Sequence, residues 1–209
     1  MPNGKLITFE GIDGSGKSTQ AKILYERLLE EHHDCELFRE PGGTPLGEQV
    51  RVILLNQPEK IGIIAELLLF SAARAELVRL VIEPMLERGC IVLLDRFTDS
   101  TTAYQGYGRG IDLELVKSVN DAATQGIKPD LTFLFDVTAE DGLRRHDRHH
   151  DRIEQEGVQF MEKVRQGYLT VAKGDPARVV VVDGGREVED LTIEVWNKVE
   201  VLLTRNTLF

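Results

Sequence analysis

Hydrophobic positions along the chain switch repeatedly between strand and helix periods. Lys5 to Glu10 carries Leu6, Ile7 and Phe9 in a short apolar run and predicts a strand. A glycine-rich turn follows, and then Lys17 to Glu31 places Ala21, Leu24 and Leu28 at helical spacing. Cys35 to Phe38 predicts a second strand, and Pro41-Gly42-Gly43-Thr44-Pro45 a loop by its turn chemistry. Leu46 to Leu55 and Ile61 to Arg88 predict helices, the second long and apolar on one face, with Gly89 as its stop. Cys90 to Asp95 is a continuous apolar run, the pattern of a strand covered on both faces. Helical stretches around Ser100 to Tyr107 and Leu113 to Thr124 precede a fourth strand, Leu131 to Phe135. A charged segment from Glu140 to Glu156, a helix from Gly157 to Ala172, a strand from Arg178 to Val182 and a helix from Val188 to Leu203 complete the pattern.

Strands alternating with helices predict an α/β fold: a five-stranded parallel sheet with helices on both faces. No internal repeat, low-complexity tract or linker divides the 209 residues, so residues 1–209 are expected to form one domain.

Charge narrows the function classes. The formal net charge of -10 argues against binding a nucleic-acid backbone, although local arginines can still hold a small anion. Two cysteines, Cys35 and Cys90, each open a predicted strand and suit buried thiols in a reducing compartment better than a disulfide scaffold. The longest apolar candidate, Ile61 to Phe70, is broken by Gly62 and Glu66 and falls short of the roughly 20 residues a bilayer span needs. Met1 to Lys5 lacks a signal-peptide layout, so the expected location is the cytoplasm, without membrane attachment.

The strongest motif is Gly11-Ile12-Asp13-Gly14-Ser15-Gly16-Lys17-Ser18, which matches G-x-x-x-x-G-K-[ST] at every fixed position and lies between a strand and a helix. Its amides and the positive end of the following helix suit the phosphates of a nucleoside triphosphate. Lys17 reaches the outer phosphates, and the Ser18 hydroxyl suits the accompanying magnesium ion. Thr19 is the next helix residue. Asp95 ends the apolar strand, where an aspartate of this fold can hold magnesium directly or through water. Arg96 beside it needs an anionic partner. Both lie at the carboxyl end of a predicted strand, where open α/β sheets bind their ligands.

Six segments, in this order, resemble bacterial thymidylate kinases: Phe9 to Thr19, Arg39 to Thr44, Phe70 to Arg74, Asp95-Arg96-Phe97, Ala103 to Gly106 and Asp151 to Glu156. The resemblance runs nearly the whole length. It implies a three-layer P-loop kinase fold and phosphorylation of dTMP to dTDP by magnesium-ATP, on the route to dTTP. It also implies a homodimer with the long helix at its interface. Phe70 is implied to stack on thymine, and Arg74, four residues on, to hydrogen-bond a thymine carbonyl. Gln105 is implied to read the base edge, with Ser100 nearby, and Tyr104 to pack near the sugar. Asp13 is implied to position the acceptor end of the monophosphate. Arg51 and Arg96 are implied to grip its phosphate, for which a forked guanidinium is suited. Arg39, Glu40, Pro41 and Gly42 are implied to form the loop beneath the substrate, Arg39 as a phosphate or structural contact and Glu40 as its ion-pair partner.

The charged segment is expected to be a short arginine-rich lid at about 140–156. Arg144, Arg148 and Arg152 are spaced by four and share a helical face, with Arg145 beside them. The variable positions of the phosphate loop hold no basic residue, so a closing lid is expected to supply the arginine that stabilises transferring charge. Arg152 best matches the family pattern for that role, with Arg148 next. His146, His149 and His150 offer a metal site as an alternative to a solvated charged face, which the flanking arginines oppose. Other readings stay open: a kinase for another nucleotide or a deoxynucleoside, and a GTPase-like switch or non-catalytic nucleotide module. Phe70, Arg74 and Gln105 oppose the former, and a missing Asn-Lys-x-Asp motif opposes a guanine-specific switch.

Overall fold

A computed structural model describes residues 4–56, 60–145 and 152–204. Five parallel strands lie in the order β2-β3-β1-β4-β5. They are β1 (Lys5–Glu10), β2 (Cys35–Arg39), β3 (Ile91–Asp95), β4 (Leu131–Asp136) and β5 (Val179–Asp183). The expected strands are all present, each within a residue or two of its predicted bounds.

Alternation along β1 sorts its side chains between two cores. Ile7 and Phe9 pack with Ala21, Leu24 and Leu28 of α1 (Lys17–Glu30) and with Leu191, Val195 and Val199 of α9 (Val188–Thr204). Leu6 joins Val92 and Leu94 beneath Leu77, Val78 and Ile82 on the other face. A third cluster places Ala103, Tyr104 and Leu134 against Met161, Val164 and Tyr168 of α8 (Val158–Gly174). Helices therefore cover both faces of the sheet.

The long apolar helix is interrupted. It runs as α3 (Ile63–Leu77), a π-helical turn (Val78–Ile82) and α4 (Glu83–Glu87). The wide turn ends just before Pro84, which has no N–H to continue a regular ladder. A second π-helical segment, Thr102–Gly108, follows the short helix α5 (Thr98–Thr101) and precedes α6 (Leu113–Thr124). It buries four consecutive residues, Ala103 to Gly106, where a regular amphipathic helix would turn one or two of them outward. Helix α2 (Pro45–Asn56) packs on α3, and α7 (Ala139–Arg145) precedes a 3₁₀ turn at Glu154–Glu156.

Register brings the carboxyl ends together. Phe9 and Arg39 both pair with Asp95, so β1, β3 and β2 end side by side. The glycine-rich turn leaves the central strand at this edge, and the chain crosses from one side of the sheet to the other.

Candidate active site

A cleft of about 620 Å³ opens at this edge, lined by the turn after β1, the 39–56 region, α3 and the π segment. The turn from Gly11 to Ser18 has the backbone its motif requires. Gly14 sits at φ 75°, and a Cβ there would lie 2.1 Å from the Gly142 carbonyl oxygen, so only glycine fits. No side chain caps the N-terminus of α1 at Gly16, and its first turn holds no acidic residue. Its first amides are left for an anion, which the helix dipole also favours.

Lys17 is buried, and its Nζ donates to Asp13 Oδ1 at 3.2 Å and to the Ile12 carbonyl at 3.4 Å. Arg96 closes on the same carboxylate, its Nη2 lying 2.6 Å from Asp13 Oδ1. Burial works against ionisation of Asp13, but Arg96 and then Lys17 outweigh it and hold the carboxyl well below the usual range. A pair of cations converges on one carboxylate beside the phosphate loop, which suits a site that exchanges this anion for phosphate.

Arg96 is fixed from several sides. Its φ of 75° is rare for a side-chain-bearing residue, a backbone strain of the kind that collects at functional sites. Its Nη1 donates to the Gly11 carbonyl at 3.1 Å and to Ser100 Oγ and Tyr168 Oη at 3.2 Å each. Behind it lies Glu10, fully buried, which accepts from the Phe97 amide at 2.8 Å, Ser100 Oγ at 2.6 Å and Tyr168 Oη at 3.1 Å. Burial first, and Asp99 second, push the Glu10 carboxyl up to about 7.

Ser18 Oγ donates to Asp95 Oδ2. The other carboxylate oxygen, Asp95 Oδ1, is buried and has no hydrogen-bond partner among the described residues. A hydroxyl and an orphaned carboxylate oxygen side by side are the hard donors a magnesium ion takes.

Phe70, Arg74, Tyr104 and Gln105 line the same cleft as Lys17, an aromatic and polar set that meets the Arg96 cluster through Tyr104 Oη, 3.4 Å from Arg96 Nη2 and 3.3 Å from Asp13 Oδ2. The thymidylate kinase family model matches residues 9–195. The chain belongs to the thymidylate kinase family. A thymidylate kinase of Chlorobaculum parvum is 45% identical over 208 residues, covering 94% of this chain and 96% of that protein. One of Thermoanaerobacter sp. (strain X514) is 50% identical over 186 residues, covering 88% and 92%. A crystal structure of thymidylate kinase from Ehrlichia chaffeensis superposes with a TM-score of 0.79 at 38% identity, covering 95% of this chain and 99% of that one. The five-stranded P-loop kinase architecture expected from the sequence is therefore that of this family, whose phosphoryl donor is ATP.

Several residues expected from the family stand differently from the expectation. Arg74 lines the cleft, yet all five of its N–H groups have protein acceptors. Nε and Nη2 reach Glu40 Oε2 at 2.8 and 2.6 Å, Nη1 reaches Thr101 and Asn120, and Nη2 also reaches the Phe97 carbonyl. A direct bond to a thymine carbonyl would have to displace one of these. Glu40 is consequently the partner of Arg74 rather than of Arg39, which is exposed at the rim 3.8 Å from Glu48. Arg51 reaches the Pro41 carbonyl at 3.0 Å from the cleft wall. The Ser100 hydroxyl is engaged by Glu10, Arg96 and Tyr168, which turns it to the support of Arg96 rather than to a base. Thr19 is exposed in α1 and is not part of the cleft lining.

The lid arginines also differ from expectation. Arg152, expected over the transferred phosphate, donates instead to Glu66 Oε2 at 2.6 Å and to the Leu54 carbonyl at 3.0 Å. Arg145 donates to the Gly184 carbonyl at 2.7 Å, and Arg144 pairs with Asp141. Arg148 and His146, His149 and His150 lie outside the described residues. Sequence reasoning missed Glu10, Glu66, Thr101 and Tyr168. Only Glu10 and Glu66 carry a local signal, a charged residue ending or interrupting an apolar run, while Thr101 and Tyr168 carry none.

Proposed function

We propose that the protein transfers the γ-phosphoryl group of ATP to the phosphate of dTMP, giving dTDP and ADP. An acceptor phosphate oxygen forms the new bond to phosphorus while the bond to the ADP oxygen breaks. The observation that carries this reading is the set of groups gathered in one cleft: the phosphate loop with Lys17, the pair of Asp13 and Arg96, and Phe70, Tyr104 and Gln105. Together they offer a seat for a triphosphate, a phosphate clamp and a face for a flat base.

Gly11 to Ser18 hold the donor phosphates through backbone amides, and Lys17 moves from Asp13 to the outer phosphates. Arg96 and Arg51 grip the acceptor phosphate, with Arg39 at the rim. Asp13 is the carboxylate from which the acceptor phosphate takes over Arg96. Phe70 supplies a stacking face for the base, and Tyr104 packs at the sugar. Ser18 and Asp95 would hold magnesium, which when bound neutralises charge on the phosphates. The segment at about 140–156 serves as the lid, with Arg152 and then Arg148 the arginines for the transferred phosphoryl group, Arg152 also anchoring the lid on Glu66.

Two further points belong to this reading. The protein acts as a homodimer through α3, where Ile63, Ile64 and Leu68 are 44–52% exposed on the single chain. It works in the cytoplasm, in keeping with two free buried cysteines and, among the described residues, no helix long and apolar enough to cross a membrane.

The test is a coupled ADP-release assay offering dTMP, dUMP, dCMP and AMP. The expected result is ADP release that depends on acceptor and is fastest with dTMP. Equal turnover with all four acceptors, or release without any, would overturn the reading.

A further inference from the structure

Glu66 lies in the first turn of α3 with its side chain 1% exposed, although the helix around it is strongly apolar. A buried carboxylate needs partners, and this one has three from two separate stretches of chain. Its Oε1 accepts from Gln105 Nε2 at 2.9 Å and from Arg109 Nε at 3.1 Å. Its Oε2 accepts from Arg109 Nη2 at 3.2 Å and from Arg152 Nη2 at 2.6 Å. Burial alone would raise the Glu66 carboxyl, but the hydrogen bonds from Arg109, Gln105 and Arg152 hold it below the usual range.

This arrangement dictates how the Gln105 amide points. A side-chain amide has donors at one end and an acceptor at the other. Beside an ionised carboxylate the acceptor end would set lone pair against lone pair, so the NH2 end must face Glu66. Gln105 lines the cleft, and its carbonyl oxygen is the end left for a base.

We propose that Glu66, clamped between Arg109 and Arg152, is a positioning residue that fixes the Gln105 carbonyl toward the base and so selects acceptors whose base edge offers an N–H. The imide of thymine or uracil provides that N–H between two carbonyls. Cytosine carries a ring-nitrogen lone pair in the same place, which a fixed carbonyl repels. The lid anchor thereby shares one carboxylate with the reader of the base. This inference rests on the dTMP kinase reading.

Glu66→Gln keeps the shape but presents a neutral group that no longer dictates the orientation of Gln105. In steady-state assays, kcat/KM for dTMP and dUMP should fall together by about tenfold or more relative to that for dCMP, whose own loss measures the loosened lid anchor. Equal losses on all three acceptors would reduce Glu66 to a structural role, and unchanged values would remove it from selection; either overturns the proposal. Should Glu66→Gln fail to fold, Gln105→Met decides, because it leaves Glu66 and both arginines in place. It must lose the preference for dTMP over dCMP, and a retained preference overturns the proposal. A wild-type enzyme indifferent to dTMP and dCMP would instead refute the functional reading beneath it.

Discussion

Replacing Glu40 by leucine removes the carboxylate that holds Arg74. The pair is 2.6 Å apart, with side chains 2% and 4% exposed, so water cannot replace the lost partner. Truncating one member of a buried pair leaves an uncompensated charge and costs about 3–5 kcal/mol, against about 0–1 for an exposed pair. Arg74 retains Thr101, Asn120 and the Phe97 carbonyl, which places the expected loss near 3 kcal/mol, the low end of that range. For a chain of this length each kcal/mol moves the melting temperature by about 2–4 °C, so Glu40→Leu should melt about 6–12 °C below wild type.

The second half of the cycle separates pairing from packing. Glu40→Leu combined with Arg74→Met removes both charges, and its loss should be smaller than the sum of the two single losses by about 2 kcal/mol. Urea unfolding of the four proteins, all at one protein concentration, gives this coupling directly. A Glu40→Leu loss below about 1 kcal/mol would mean that the pair behaves as an exposed one, and the burial argument would fail. Strict additivity would likewise show that Glu40 and Arg74 stabilise the fold independently.

Two more outcomes follow from the same cleft. Glu10 holds its proton more tightly folded than unfolded, so its stabilisation is complete below about pH 4.5 and is lost as the pH rises through about 7; the span corresponds to roughly 3 kcal/mol. Glu10→Gln should flatten this part of the stability profile in urea titrations between pH 4.5 and 8, and a slope equal to wild type would exclude Glu10 as its source. A Cβ at Gly142 would lie 2.7 Å from the Asp13 carbonyl oxygen, so Gly142→Ala should displace the phosphate loop and lower kcat/KM by about 10- to 100-fold. Full activity in that variant would show that α7 and the loop are free to separate.

The features readable from the sequence are those set by neighbours along the chain. β3 is legible because a strand covered on both faces must be apolar throughout, and Ile91 to Leu94 are. The phosphate loop is legible because glycine spacing, Lys17 and Ser18 meet one local requirement together. The π segments escape notice because widening a helix turn changes which residues are buried without changing composition. Partner choice is harder still. Tyr168 lies 158 residues from Glu10 and Arg152 lies 86 from Glu66, and each pairing exists only through the sheet order. An arginine in a motif announces an anion, but the chain can supply that anion as readily as a substrate can. Arg74 and Arg152 show the consequence: motif residues matching the family are bound to Glu40 and Glu66. Lys17 and Arg96 instead share Asp13, a carboxylate within the phosphate loop itself, and the phosphate contacts proposed for them follow from exchange of that carboxylate for an incoming phosphate.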